Sequence, residues 1–78
     1  MSQQRVEVLL RLRGEAWLPW AIVLHGRRVS IDSLGRSWQE EHREHFLISL
    51  EGKTWELVHD MQEAAWYLRS LPGEMGLV

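Results

Sequence analysis

Trp55-Glu56-Leu57-Val58-His59-Asp60-Met61-Gln62-Glu63-Ala64-Ala65-Trp66-Tyr67-Leu68-Arg69-Ser70-Leu71 supports two readings, and the choice between them decides the fold. One is a helix. Good helix formers dominate the stretch, and Val58, Met61, Ala65 and Leu68 keep a three–four spacing. Thr54 stands where an N-cap would, and Pro72 follows the end. Met61-Gln62-Glu63-Ala64 contains none of the Gly, Pro or Asn that usually mark turns. The other reading is a hairpin. Trp55, Leu57 and His59 alternate with Glu56, Val58 and Asp60; the chain reverses over Asp60 to Ala64; Trp66 and Leu68 then alternate with Tyr67 and Arg69. Period two is the signature of a half-buried strand. A helix would hold the Cα atoms of Trp55 and Leu68 about 20 Å apart at 1.5 Å per residue. A hairpin brings them near the spacing of paired strands.

The upstream chain favours strands. Phe46, Ile48 and Leu50 alternate with Leu47 and Ser49, and Glu51-Gly52-Lys53 is a hairpin turn, so Arg43 to Leu71 reads as a central ribbon. Val6, Val8, Leu10 and Leu12 point one way and Glu7, Arg11 and Arg13 the other, until Gly14-Glu15 breaks the strand. In Trp17 to His25, Trp20, Ile22 and Leu24 share one face. Pro19 cannot donate a ladder hydrogen bond, so this strand starts near Pro19 or lies at an edge there. His25-Gly26-Arg27-Arg28 is a tight turn, with Gly26 free to take positive φ. Arg28 to Leu34 resumes with Val29 and Ile31 inward. Gly35 interrupts, Ser37-Trp38-Gln39 turns a corner, and the almost wholly charged Glu40 to His45 reads as an exposed loop or one helical turn. Residues 1–4 are polar and expected to fray. Pro72-Gly73 ends regular structure.

Gly26-Arg27-Arg28-Val29, Trp38, Arg43-Glu44-His45-Phe46, Trp55-Glu56-Leu57-Val58-His59-Asp60 and Trp66-Tyr67-Leu68 together resemble the pattern of a family of small bacterial domains of unknown function. In that family a Gly-Arg-Arg turn precedes a strand and a tryptophan. Strands of the type Arg-Glu-Tyr/Phe-Phe, Tyr-Glu-Leu-Tyr-Arg-Asp and Trp-Tyr-Leu-Glu follow. The resemblance covers about residues 17–71. The family usually has glycine where this chain has Ala64, and often tyrosine and arginine at Val58 and His59. Such domains also occur at the C-terminal end of inactive relatives of Y-family DNA polymerases in bacterial damage tolerance. The resemblance therefore implies strand–turn–strand over the last segment and a neighbourhood in DNA repair. The fold expected is all-β: a small antiparallel meander barrel or strongly curved sheet of five to six strands. One domain spans 1–78, ordered over about 5–71 with a tail at 72–78. The alternative is α+β with a C-terminal helix at 55–71.

The chain has 78 residues, 45% of them hydrophobic, with five tryptophans and no cysteine. That is one domain without a disulfide, consistent with a reducing cytoplasm. No apolar run is long enough for a signal core or a membrane helix. Asparagine is also absent, a depletion seen in thermophile proteins, though GC-rich coding produces the same bias. The net charge of −2 is uneven, +3 over residues 1–36 and −5 over 37–78. Such asymmetry marks either a nucleic-acid or self-association face, or simply two solvated faces.

Chemistry is thinly signalled. His42 and His45 with Glu41 and Glu44 are the nearest thing to a metal cluster, but no second ligand pair completes it, so a solvated charge cluster is expected. His25 and His59 read as sheet histidines. No nucleophile elbow and no phosphate-binding glycine loop is present. The chain is therefore expected to be non-enzymatic, with no metal or other cofactor and no membrane partner. Arg11, Arg13, Arg27, Arg28 and Arg36, with Trp17, Trp20 and Trp38, form the candidate partner surface. Arginines neutralise phosphates and exposed tryptophans stack on bases. The same residues suit a protein-interaction module, binding itself or another protein at a free sheet edge.

Overall fold

The structure, a computed structural model, describes residues 3–71. It contains β1 (Gln3–Arg13), β2 (Ala16–Leu24), β3 (Arg27–Ser30), β4 (Ser33–Glu40), β5 (Arg43–Leu50), β6 (Lys53–Asp60) and β7 (Ala65–Ser70). All pairings are antiparallel, in the order β3-β2-β1-β7-β6-β5-β4. The stretch 55–71 is strand–turn–strand, not a helix. Leu57 lies opposite Leu68 and Trp55 opposite Ser70.

Strand order explains the curvature. β3 and β4 are the two ends of the sheet, yet only Ile31 and Asp32 separate them in sequence. The sheet must curl for so short a link to join its ends. The Ile31 N–H still donates to Trp20 of β2, at 2.9 Å, while the Asp32 N–H already donates to Ser49 of β5, at 2.8 Å. The chain thus crosses between two sheets within one residue. β1 turns the other corner: residues 3–6 pair with β7 and residues 7–13 with β2. Strands that switch sheets in this way make the corners of a half-closed barrel. The described residues form seven strands, against the five to six expected, because β3 and β4 are separate strands on either side of the Ile31-Asp32 crossing.

Four of the five hairpins close with two residues, at Gly14-Glu15, His25-Gly26, Glu41-His42 and Glu51-Gly52. Positive φ at both His25 and Gly26, and at both Glu51 and Gly52, identifies type I′ turns, whose twist matches that of the flanking strands. The fifth turn, at 61–64, ends with Ala64 at φ 58°, a conformation glycine adopts more freely. Asp60 organises this turn in place of the missing Gly or Asn. Its Oδ1 accepts from the Gln62 and Glu63 N–H groups at 3.1 and 3.0 Å. Its Oδ2 lies 3.4 Å from Arg43 Nε and 3.8 Å from His42 Nε2. The Glu63 N–H, above all, holds the Asp60 carboxyl below its usual range; Arg43, His42 and the Gln62 N–H add to this against the opposing effect of desolvation. A carboxyl lowered by folding stabilises above its unfolded pKa, and that contribution is lost as pH falls through the folded value. Asp60→Asn is therefore expected to be less stable than wild type at neutral pH. The gap should narrow as pH falls through the ordinary carboxylate range and close only below the lowered folded value, where wild-type Asp60 is also neutral; parallel urea titrations from neutral to strongly acid pH check this.

Val6, Ile22, Val29, Ile48, Leu50, Leu57 and Leu68 form the core, with Val8, Leu24, Ile31, Phe46, Trp55 and Trp66 packed against it. The alternation read in β1, β5, β6 and β7 therefore points inward as expected at these positions. Three expectations about where strands begin and end fail. Gln3 and Gln4 are not frayed but pair with Arg69 and Leu68, and Arg69 Nε donates to Gln3 Oε1 at 2.8 Å. Residues 33–40 form one strand; Gly35-Arg36 is a bulge within it, and no corner occurs at Trp38. Arg43 to His45 is neither loop nor helical turn but the start of β5. Charged residues are tolerated there because successive side chains go to opposite faces, each with a partner. The expected tail at 72–78 lies outside the described residues.

Candidate functional site

The outer half of the β1–β2 hairpin runs past the core. A bulge in β2 sets its two faces. Leu9 lies opposite Ala21 but Leu10 lies opposite Pro19, so Trp20 is the extra residue. This shifts the phase of β2: Ile22 faces the core, while Pro19 and Trp17 share the face of Leu10 and Leu12. Trp20 leaves the face of Ile22 and Leu24, contrary to the simple alternation, and meets arginines instead. Pro19 is accommodated because β3 pairs only with residues 21–24, leaving β2 an edge at Pro19.

On the core-side face of this arm, Leu10 is 41% exposed, Leu12 52% and Trp17 62%. Leu10 and Leu12 continue the Val6–Val8 row, but not into the core as their alternation implied. Periodicity shows which face is apolar; it does not show where the covering sheet ends.

The opposite face is basic and aromatic. The guanidinium carbons of Arg11 and Arg28 lie 4.8 and 5.5 Å from the Trp20 ring centroid. Arg13 shares the parity of Arg11 on β1 and is exposed. The other candidate residues are elsewhere. Arg27 reaches Glu51 at 3.5 Å. Arg36 sits 5.7 Å from Trp38 on β4. Sequence position therefore grouped eight residues that the fold divides between an arm, a basic face and the far edge strand.

Trp38 belongs to a polar cluster that sequence reading missed. Pairing places Trp38, His45, Val58, Tyr67 and Arg5 in one row across five strands. Trp38 stacks on His45 at 5.0 Å. His45, 4% exposed, places Nδ1 2.6 Å from Glu56 Oε2. An ionised carboxylate only accepts, so this nitrogen carries the hydrogen. His45 Nε2 lies 3.1 Å from Glu40 Oε1, but without a directed hydrogen bond. Arg69 Nη1 approaches Glu56 at 3.8 Å. Tyr67 donates to Glu63 at 2.8 Å, and this bond, ahead of desolvation, raises the phenol above its ordinary pKa. The only signal in the sequence was the alternation of Glu44 and His45, which sends them to opposite faces. Glu44 meets His59 at 3.1 Å, and His59 stacks on Trp66 at 4.2 Å. The suspected His42–His45 metal pair is thereby divided among separate carboxylates. Among the described residues no group of three or more His, Asp or Glu is placed to hold a metal ion.

Fold and surface together define a small curled all-β domain with an apolar arm backed by an arginine–tryptophan face. In comparisons with known proteins, the chain matches no family model, no curated protein and no solved structure. Among the described residues no helix is long and apolar enough to cross a membrane.

Proposed function

We propose that this chain is a non-enzymatic association module of the cytoplasm, binding itself or another protein through the β1–β2 arm. The observation that carries the reading is the exposed row Leu10, Leu12 and Trp17 on one face of a two-stranded hairpin. Two strands alone are marginal in water, and a contiguous row of exposed large apolar side chains suits a contact surface. Light scattering across a concentration series tests it. The wild type is expected to associate, and Leu12→Ser/Trp17→Ser to remain monomeric with an unchanged circular dichroism spectrum. A wild type that stays monomeric at every concentration, and whose native-cell pull-down is unaffected by the double substitution, defeats the reading.

A second reading is favoured by Arg11 and Arg28 beside Trp20: a nucleic-acid-associated accessory domain in DNA repair or damage tolerance. Support comes from the cation–aromatic cluster and from the family resemblance. Against it stands the net charge of −2, since phosphate contacts dominate such binding. A labelled single-stranded oligonucleotide would be bound in a salt-sensitive manner by wild type and lost by Arg11→Glu/Arg28→Glu.

A further inference from the structure

The arm has an unpaired edge as well as an apolar face. β7 pairs with β1 only through Val6. From Glu7 to Arg13 the β1 edge away from β2 bonds to no strand among the described residues. Such an edge is usually blocked by proline, a bulge or a covering element. Here the proline and the bulge lie on β2, and Glu7-Val8-Leu9-Leu10-Arg11-Leu12-Arg13 contains neither proline nor glycine.

We infer that this segment pairs antiparallel with the same segment of a second copy, about a two-fold axis through Leu10. The inference rests on the association reading and specifies its partner and register. A two-fold perpendicular to a sheet keeps each side chain on its own face, so facing residues must share parity. Full overlap of the free edge then leaves one register. Glu7 faces Arg13 of the second copy, Val8 faces Leu12, Leu9 faces Arg11, and Leu10 faces Leu10. Both ends carry opposite charges, Val8, Leu10 and Leu12 make an apolar row on the core-side face, and Leu9 and Arg11 alternate on the other. The sequence is self-complementary in this alignment, the one that uses the whole free edge. Sliding two residues towards the arm tip sets Arg11 against Arg11, a like-charge pair that destabilises. Sliding the other way requires the edge of Arg5 and Val6, which β7 already holds.

The surroundings agree with the pairing. An open groove where β1 parts from β7, between Glu7 to Leu9 and Ala64 to Trp66 and reaching over to Val23 and Gly26, leaves room for the end of an incoming strand. On the core-side face, Val8, Leu10 and Leu12 of the two copies become neighbours. The exposed arm rows meet across the axis, and two three-stranded β1-β2-β3 sheets join into one. The interface is isologous and closes at the dimer, so the edge is used up and no fibre grows.

Charge reversal and cross-linking test the register on the full chain. Each Glu–Arg pair occurs twice by symmetry, so Glu7→Arg or Arg13→Glu alone is expected to weaken dimerisation on the order of tenfold or more. The double variant Glu7→Arg/Arg13→Glu should restore it to within about threefold, since the swapped pair again sets opposite charges face to face. The chain has no cysteine, so Leu10→Cys places a single thiol on the axis. Facing Cα atoms lie about 4.5–5.5 Å apart, within disulfide reach. Leu10→Cys should therefore form a covalent dimer under mild oxidation, and Leu34→Cys, also exposed but on β4, should not. Dimers that show neither rescue nor the Leu10→Cys cross-link overturn this edge pairing and leave the association reading standing. A wild type monomeric at all concentrations overturns the pairing, whatever other protein the arm binds.

Discussion

Leu57→Ala is expected to lower the unfolding free energy by about 3 kcal/mol, within the range of about 2–5 for large-to-small changes in a core. Leu57 has no exposed surface and lies between Phe46 of β5 and Leu68 of β7. A rigid sheet flanks it on both sides, so the cavity cannot collapse easily. A domain of this size has a total stability of about 4–12 kcal/mol, and each kcal/mol shifts Tm by roughly 4–8 °C. The variant should thus melt at least about 12 °C lower. Leu12→Ala removes the same atoms from a side chain already 52% exposed. It should leave the melting temperature of dilute, monomeric protein almost unchanged. Equal losses in the two variants would mean that the arm is part of the folded core.

Glu56→Leu is the second large effect, at about 2 kcal/mol. The Glu56 side chain is 13% exposed, and its Oε2 receives the His45 hydrogen at 2.6 Å. Its loss leaves a buried imidazole N–H unpaired, which costs about 1–3 kcal/mol. The Arg69 guanidinium loses a neighbour as well. His45→Phe should cost less. It keeps a flat ring against Trp38 and removes the group that needed an acceptor, while Glu56 keeps Arg69. The two substitutions should be non-additive, with the double variant more stable than the sum predicts by about 1 kcal/mol. Urea unfolding of the four proteins in the cycle measures this. Additive losses would show that the 2.6 Å contact carries no net energy.

These two sites differ in how visible they were. Leu57 alternates with Glu56 and Val58, and once 55–71 is read as strand–turn–strand that alternation marks it as inward. His45 gave no such mark. Its neighbours across the sheet, Trp38 and Val58, come from β4 and β6. Only strand pairing brings them together, and residue spacing along one strand carries no information about register. The hairpin at 60–65 was hidden for a related reason. Its turn is held by Asp60, which accepts two backbone N–H groups, so it does without the Gly, Pro or Asn that marks most turns.

The chain by itself determined strands over most of its first fifty residues, the turns at Gly14-Glu15, His25-Gly26 and Glu51-Gly52, and most of the core. Alternation and the His25-Gly26 and Glu51-Gly52 pairs are local properties, set by the two-residue repeat of a strand and by the φ that a tight turn requires. Tertiary structure decided the rest. It determined that β1 outruns β7, that one bulge moves Trp20 to the arginine face, and that Leu10 and Leu12 end in the open. Each depends on where a neighbouring strand stops, and that is a relation between distant segments. No pattern within a single strand encodes it.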